Sequence, residues 1–269
     1  MSVGHYENFP VASLLLPPAL REPVSVLYRF ARSADDFADE GNAAPPQRLE
    51  KLQGYRVELQ GIQSNRASTV PLFRELARVV RTHDLPMQLL HDLLDAFAQD
   101  VVKNRYADYA EVLDYCRRSA NPIGRLVLGL FREDTPENLR HSDCICSALQ
   151  LVNFWQDVRI DFETKDRIYL PQDEMRRFGV GETHLRERRC DPAFRDLMRF
   201  QVERARRLML EGKPLVDRLR GRLRLEIALT VQGGLRILEK LERAGYDMFR
   251  RRPVLKALDW PLLFLRTFQ

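Results

Sequence analysis

Apolar residues recur every three or four positions along nearly the whole chain, which is the period of a helix with one buried face. The pattern is clearest at 89–97 (LLHDLLDAF) and at 223–231 (LRLEIALTV). Alternating Val, Ile and Thr, which would indicate strands, is scarce. Breaks containing Gly, Pro or Asn separate the helical runs at 41–46, 61–71, 84–86, 132–138 and 170–185. None of these breaks has the length or composition of a linker, so we predict one all-α domain spanning residues 1–269.

The composition adds a modest positive charge to this picture. Hydrophobic residues make up 45% of the 269 positions, which is ample for a sizeable core. Lys and Arg number 43 against 38 Asp and Glu, giving a net charge of +5. Because no aromatic residues are interleaved with the basic ones in a recognisable module, we expect no nucleic-acid partner. Solvated helix faces account for the excess charge, with a weak attraction to anionic lipid headgroups as the alternative.

Nothing in the sequence indicates secretion or a membrane span. The four cysteines lack the spacing of a metal or redox site, so we expect them to be reduced and the protein to be cytoplasmic. The first apolar run follows no basic region and is broken by Pro17 and Pro18, which argues against a signal peptide. No uncharged apolar stretch approaches about 18 residues. The apolar segment 260–268 (WPLLFLRTF) is predicted to pack on the helices, and peripheral contact with a membrane is the alternative.

An acidic stripe lies on the helix predicted for residues 28–40 (YRFARSADDFADE). One face of this helix carries, in order, Tyr28, Arg32, Asp35 and Asp39. Like charges one turn apart oppose a helix by roughly 0.2–0.5 kcal/mol in water, and by more when they are partly buried. Because apolar residues fill the adjacent positions, some group must offset this negative charge.

A second stripe of the same kind lies in residues 150–163 (QLVNFWQDVRIDFE). One helix face there carries, in order, Gln150, Asn153, Asp157 and Asp161. Solvated acids would explain one such pair, and ion pairs with the many arginines remain a second alternative. Two stripes on hydrophobic helices favour carboxylates that face each other across a cavity.

Oxygen ligands without His or Cys nearby suit Mg²⁺, which often shares its site with substrate phosphates. We therefore predict two acidic helices around a magnesium-bound diphosphate. Lys165 and Arg167 follow the second stripe and either clamp diphosphate oxygens or are ordinary loop charges. Asn8 and Phe9 are weaker candidates for the mouth of the site. The chain has no GxSxG, no P-loop and no GxGxxG dinucleotide motif.

These motifs resemble those of the squalene/phytoene synthases, a family of head-to-head prenyl synthases. The resemblance covers most of the chain and is carried by HYENF (5–9), YRFARSADDFADE (28–40), YCRRSANPIG (115–124) and QLVNFWQDVRIDFETKDRIYLP (150–171). It implies a single class I isoprenoid synthase bundle of helices around a deep central cavity. It also implies a prenyl diphosphate substrate and three Mg²⁺ ions bound with the diphosphate.

The resemblance assigns roles to individual residues. The metal ligands it implies are Asp35, Asp39, Asn153, Asp157 and Asp161. The substrate-binding residues are Asn8, Phe9, Asp36, Ile123, Gly124, Gln150, Lys165, Arg167 and Tyr169. It implies Tyr28, Arg32 and Tyr115 as catalytic residues, and we add Ser119 and Asn121 because they are polar where relatives are apolar. Ring faces of Tyr28, Tyr115 or Phe9 would stabilise a carbocation by about 0.5–2 kcal/mol per contact.

Two segments are most similar to one subgroup, the hydroxysqualene synthases of bacterial hopanoid pathways. These segments are SANPIG (119–124) and NFWQDV (153–158). The subgroup converts presqualene diphosphate and water to hydroxysqualene and needs no NADPH. Gln156, where many members have Arg, and Asn8, where Ser is usual, depart from the family pattern.

A hydroxylating enzyme must hold one water beside its carbocation. We expect the polar Ser119 and Asn121 to hold it, with hydrogen bonds that pack helices together as the alternative. A squalene or phytoene synthase that condenses two prenyl diphosphates remains an alternative function, as does a catalytically dead partner subunit. A lipid-binding helical module would not need two acidic pairs. The sequence indicates no obligate protein partner.

Overall fold

The computed structural model describes residues 16–268. Within that range the chain forms thirteen α-helices and no β-strand, so the prediction of an all-α fold is confirmed. An isolated bridge joins Arg105 and Ile168. The helices are α1 (Pro18–Asp39), α2 (Pro45–Gln63), α3 (Pro71–His83), α4 (Met87–Val102), α5 (Tyr109–Ser119), α6 (Asn121–Phe131), α7 (Pro136–Lys165), α8 (Gln172–Arg177), α9 (Glu182–Arg186), α10 (Pro192–Gly212), α11 (Leu215–Arg218), α12 (Gly221–Arg243) and α13 (Asp259–Arg266).

The helices begin and end where local chemistry favours it. The side chains of Asp108, Thr135 and Asp191 each accept a hydrogen bond from a backbone N–H in the first turn of the helix that follows. Such caps stabilise a helix by about 1 kcal/mol. Four of the five predicted breaks separate consecutive helices, whereas the break at 170–185 contains the short helices α8 and α9.

Helix α7 runs through the centre of the molecule. It has 30 residues, which corresponds to a length of about 45 Å. It packs against α5, α6, α10, α11 and α12. Its tightest neighbour is α10, where a Cβ atom on Gly212 would lie 2.7 Å from the His141 carbonyl oxygen. Only glycine permits this approach of the two helices.

Three groups of buried apolar side chains surround a common space. The first group comes from helices α1, α2, α3 and α4 and part of α6. The second group comes from helices α5, α7 and α10 and the end of α12. The third lies between α7, α11 and the start of α12. The space between these groups is a cavity of about 560 Å³. A deep cavity inside a helical bundle is what the resemblance implied.

Candidate active site

The cavity is apolar along most of its wall; Arg32 and Asp35 mark one end, called the charged end, and Glu226 on α12 is a further charged lining residue. Apolar side chains from α1, α4, α6, α7, α11 and α12 form the larger part of the surface. Helices α1 and α7 contribute Arg32, Asp35, Gln150 and Asn153. Such a space suits a ligand with a long apolar body and a polar head.

The first acidic stripe lies on the face of α1 that meets the cavity. Tyr28, Arg32 and Asp35 line the cavity, as the helical spacing predicted. Arg32 lies 3.5 Å from an oxygen of Asp35 and 2.7 Å from an oxygen of Asp36. Asp36 is not on the cavity wall and forms an ion pair that orients Arg32, and its contact with substrate stays a prediction.

The second stripe continues past the cavity toward the end of α7. Gln150 and Asn153 line the cavity, and Asp157 and Asp161 follow one and two turns later. Both oxygens of Asp157 accept hydrogen bonds from Arg252, one of them at 2.9 Å. Arg252 comes from the segment after α12, and no helical spacing indicated that it would reach the site.

The two stripes face each other, and cations lie between them. Lys165 forms an ion pair with Asp39, and Arg167 donates a hydrogen bond to the other Asp39 oxygen at 2.6 Å. Lys165 also interacts with Asp35 and with Asp161. These contacts place both predicted cations at the charged end of the cavity. The alternative of an ordinary loop charge is wrong for Arg167, which is 6% exposed.

The four acids differ in how their charge is balanced. Burial, together with the neighbouring Asp39 carboxylate, raises the pKa of Asp35 to about 7. Burial likewise raises the pKa of Asp161 to about 7, against the opposing effect of Lys165. Burial would raise the pKa of Asp39 as well, but Arg167 and Lys165 lower it below its ordinary value. The protein therefore stabilises the ionised forms of Asp35 and Asp161 less well than that of Asp39.

The side chains of this region fit Mg²⁺, because their donor atoms are carboxylate and amide oxygens. The cations of the protein balance the charge of these carboxylates only in part. Within residues 16–268 no three acids, histidines or cysteines converge on one point. Lys165, Arg167 and Arg252 occupy carboxylate oxygens that would otherwise be open to cations. Asp35, Asp39, Asn153, Asp157 and Asp161 stay the predicted ligands, and the ion pairs of Asp39 and Asp157 would have to exchange for Mg²⁺ to bind.

A carboxylate that the sequence analysis missed lies beneath the site. Asp100 in α4 is buried, and its side chain accepts hydrogen bonds from Tyr115 at 2.5 Å and Tyr169 at 3.3 Å. Its backbone oxygen accepts a hydrogen bond from Arg167 at 2.8 Å. Burial raises the pKa of Asp100 to about 6. Asp100 continues the buried face of α4 that includes Leu93. An acid on an otherwise apolar helix face was therefore the sequence signal that could have identified this buried carboxylate.

Two predicted tyrosines belong to the packing around Asp100. Tyr115 lines the cavity and directs its hydroxyl to Asp100. Tyr169 stacks on Phe154 with ring centroids 3.6 Å apart and is not part of the main cavity wall. Tyr169 therefore lies behind the main cavity, next to Asp100, and its contact with substrate stays a prediction.

The segment SANPIG divides into cavity and packing residues. Ser119, Ile123 and Gly124 line the cavity. Asn121 is not on the cavity wall, and its side-chain oxygen accepts a hydrogen bond from Ser147 at 2.8 Å. For Asn121 the structure favours the helix-packing alternative. Asn8 and Phe9 lie outside the described residues.

The segment after α12 is fastened beside the second acidic pair. Gln156, one of the departures from the family pattern, is buried and donates a hydrogen bond to the Pro253 carbonyl at 2.6 Å. Lys240 donates to the Val254 carbonyl at 2.7 Å. These bonds hold Arg252 next to Asp157, so the departure at Gln156 has a structural role.

The C-terminal segment is only partly buried. Leu263 packs into the protein, whereas Leu265 and Phe268 are each 65% exposed. Packing on the helices is therefore observed for Leu263, and contact of the exposed side chains with a membrane stays a prediction. None of the described helices is long and apolar enough to cross a membrane. The four cysteines form no disulfide.

Comparison with known proteins identifies close relatives. The family model described as squalene/phytoene synthase matches residues 3–259. A protein named hydroxysqualene synthase from Rhodopseudomonas palustris is 34% identical, over 94% of this chain and 85% of that protein. A phytoene synthase from Thermus thermophilus is 31% identical, over 98% of this chain and 89% of that protein. The crystal structure of squalene synthase HpnC from Alicyclobacillus acidocaldarius is similar with a TM-score of 0.84 and 37% identity, covering 90% of each chain.

Proposed function

Because the chain belongs to the squalene/phytoene synthase family, we propose that it is a hydroxysqualene synthase acting on presqualene diphosphate. The observation that carries this proposal is the 34% identity to a protein of that name over 94% of the chain. The cavity supports it, because an apolar space with one charged end fits two long isoprenoid chains and a diphosphate. The products are hydroxysqualene and inorganic diphosphate. No NADPH enters this reaction.

Departure of the diphosphate is the difficult step, since negative charge develops on the leaving oxygen. Arg32, Lys165 and Arg167 supply fixed positive charge at the charged end of the cavity. We propose that Asp35, Asp39, Asn153, Asp157 and Asp161 hold Mg²⁺ there, with three ions expected from the family resemblance. When bound, Mg²⁺ would stabilise the negative charge of the diphosphate.

The remaining wall then protects a carbocation. Apolar side chains exclude bulk water, which would otherwise quench the cation before it rearranges. Tyr28 and Tyr115 line the cavity, where their rings can stabilise positive charge. The Tyr115 hydroxyl is held by Asp100, which keeps the ring in place.

The acidic pairs give the first test of this chemistry. Asp157→Asn should lower turnover roughly 10²–10³-fold, because one ligand to the charge-stabilising cations is lost. Asp196→Asn is the matched control, since Asp196 lies on the surface in a pair with Arg199. Circular dichroism would show that both variants fold. Substantial turnover by Asp157→Asn would remove Asp157 from the metal site.

A product assay tests the reaction itself. The purified protein would be incubated with Mg²⁺ and without NADPH, once with farnesyl diphosphate and once with presqualene diphosphate, and the extracts analysed by mass spectrometry. An alcohol one water heavier than squalene, formed from presqualene diphosphate alone, is the expected result. No consumption of either substrate, with the fold intact, would favour a catalytically dead partner subunit.

The second candidate is a synthase that condenses two prenyl diphosphates head to head. The similarity to a phytoene synthase over 98% of this chain favours it, as does the similarity to a structure titled squalene synthase. Consumption of farnesyl diphosphate, or of a longer prenyl diphosphate, would establish this candidate and overturn the first.

We also propose that the C-terminal segment rests on an anionic membrane surface, where a lipid product would leave. Exposed Phe264, Leu265 and Phe268 supply apolar contact, and the exposed Arg250 supplies positive charge. Flotation with vesicles containing phosphatidylglycerol should recover the protein, and a Leu265→Asp, Phe268→Asp double variant should remain unbound. Equal recovery of both proteins would refute this contact.

A further inference from the structure

The hydroxyl group of Ser119 forms no hydrogen bond that would hold described parts of the protein together. Ser119 is the last residue of α5 and lines the cavity. Its Oγ atom is buried and forms no hydrogen bond with any described residue. A buried hydroxyl left unsatisfied costs about 1–3 kcal/mol, so such groups are normally paired with protein or with bound water. Rotation about one side-chain bond redirects this oxygen without breaking a hydrogen bond.

The neighbouring contacts locate Ser119 along the cavity. Four residues earlier, Tyr115 packs on Phe154 with ring centroids 5.9 Å apart. Two residues later, Asn121 is hydrogen-bonded to Ser147. Ser119 therefore faces the part of α7 between these two contacts, where Gln150 lies. It is one helical turn, about 6 Å, beyond Tyr115.

Gln150 offers a second polar group at the same level. Its side chain lines the cavity, next along α7 to Asn153 at the charged end. A bound water needs two or more polar partners, and a hydroxyl together with an amide meets this requirement. The cavity wall around them is otherwise largely apolar, which would confine a water to this place.

Two other polar groups of the wall, on Ser142 and Glu226, are less suited. Ser142 Oγ already contacts Cys146 Sγ at 4.0 Å. Helix α12 runs in the same direction as α7, because Gly234 approaches Leu149 and Lys240 is bonded to the segment that also binds Gln156. Glu226 comes before Gly234 on α12. Glu226 is therefore at the end of the cavity remote from the acidic pairs. The carbon that loses diphosphate lies at the opposite end.

We infer that Ser119, with Gln150 as second partner, binds the water that becomes the hydroxyl group of the product; this rests on the proposed hydroxysqualene synthase function. The carbon–oxygen bond to diphosphate breaks with its electron pair on the diphosphate. After the cation rearranges, a lone pair of the bound water forms the new carbon–oxygen bond. The proton released from that water goes to the diphosphate, since phosphate groups titrate near pH 6. Ser119 thereby decides where water adds.

The test compares products from presqualene diphosphate at equal substrate consumption. Ser119→Ala and Ser119→Val should lower the share of hydroxysqualene about tenfold, as expected for loss of one hydrogen bond to the reacting water. Hydrocarbons formed by proton loss, or alcohols formed from the unrearranged cation, should take its place. Ser119→Thr keeps a hydroxyl and should restore hydroxysqualene.

Ser147→Ala is the matched control. It removes a buried hydroxyl that is bonded to Asn121 away from the cavity wall, so it should lower the melting temperature and leave the product ratio unchanged. An unchanged hydroxysqualene share in both Ser119→Ala and Ser119→Val would overturn the inference, even if total turnover falls. If Ser119→Val does not fold, the share of hydroxysqualene made by Ser119→Ala is compared with that made by Ser119→Thr. Equal shares from these two variants would then overturn the inference. Failure of the unaltered protein to make any alcohol would instead refute the proposed function.

Discussion

The carboxylates of the site show how residues of one type acquire different properties. Asp35 and Asp39 are one helical turn apart, yet Asp39 has a lowered pKa and Asp35 a pKa of about 7. The difference arises because Lys165 and Arg167 both pair with Asp39, while Asp35 has a longer contact with Arg32 and a weaker interaction with Lys165. Spacing along a helix places a carboxylate, and its burial together with its neighbours from other segments sets its charge.

The raised pKa of Asp35 predicts a pH-dependent gain in stability for Asp35→Asn. Without metal, this variant should melt at a higher temperature than the unaltered protein at about pH 8. In the unfolded chain the Asp35 carboxyl ionises near 3.8, whereas the folded protein keeps the proton up to about 7. Stability contributed by this proton is complete below 3.8 and is lost as the pH rises through about 7.

Thermal unfolding in the presence of a chelator, measured from about pH 4 to 8, checks this prediction. The advantage of Asp35→Asn should shrink toward the acidic end of the series. The surface variant Asp196→Asn should show no such trend. A variant at Asp35 that is never more stable than the unaltered protein would contradict the assigned pKa.

Asp100 predicts a second effect at the scale of single residues. Asp100→Ala should destabilise the protein by about 3 kcal/mol, because two buried tyrosine hydroxyls lose their acceptor. Tyr169→Phe removes only the longer of the two bonds, at 3.3 Å, and should cost about 1 kcal/mol. Urea unfolding monitored by fluorescence gives both values. Equal costs for the two variants would show that the bond from Tyr115 contributes little.

At the scale of helices, the close contact of α7 and α10 depends on one glycine. Gly212→Ala should destabilise the protein by roughly 1–3 kcal/mol, because the added Cβ would meet backbone atoms of His141 and Ile145. Gly54→Ala in α2 is the matched control, since nothing lies within 4 Å of its Cβ position. The control should stabilise the protein by about 0.4–1 kcal/mol. Chemical denaturation would detect the opposite signs, and two variants of the same sign would refute this account.

Helix boundaries were largely predictable because they depend on local residues. Proline begins α2, α3, α7 and α10, and each predicted break outside 170–185 lies between two helices. The break at 170–185 was different, because its Gly and Pro residues frame the two short helices α8 and α9. Burial of Met175 and Leu185 stabilises these short helices, and such tertiary contacts are not visible in local composition.

At the scale of the whole molecule, α1 and α7 belong to different groups of buried side chains, and the ion pair of Lys165 with Asp39 joins their C-terminal ends. A ligand that joins their acidic ends should therefore stabilise the entire fold. Mg²⁺ with inorganic diphosphate at about 100 times its dissociation constant should contribute about 2.7 kcal/mol. For a chain of this size the melting temperature should rise by about 5–10 °C.

Scanning fluorimetry with Mg²⁺, with diphosphate and with both checks this prediction. Neither component alone should match the combination, because Lys165, Arg167 and Arg252 already neutralise part of the acidic charge. Asp157→Asn should lose most of the shift, and Asp196→Asn should retain it. A protein that gains no stability from the combination would not have the proposed site.

The sequence by itself determined the all-α fold, the two acidic stripes and the charged character of one end of the cavity. These follow from periodicity, since residues three, four and seven positions apart share one face of any helix. Only the tertiary structure decided that Arg252 reaches Asp157, that Asp100 supports Tyr115, and that Asn121 packs helices while Ser119 faces the cavity. Each of these depends on segments far apart in the chain. Their distance and orientation are set by how the helices pack, because helical periodicity carries no information about which face meets which neighbour.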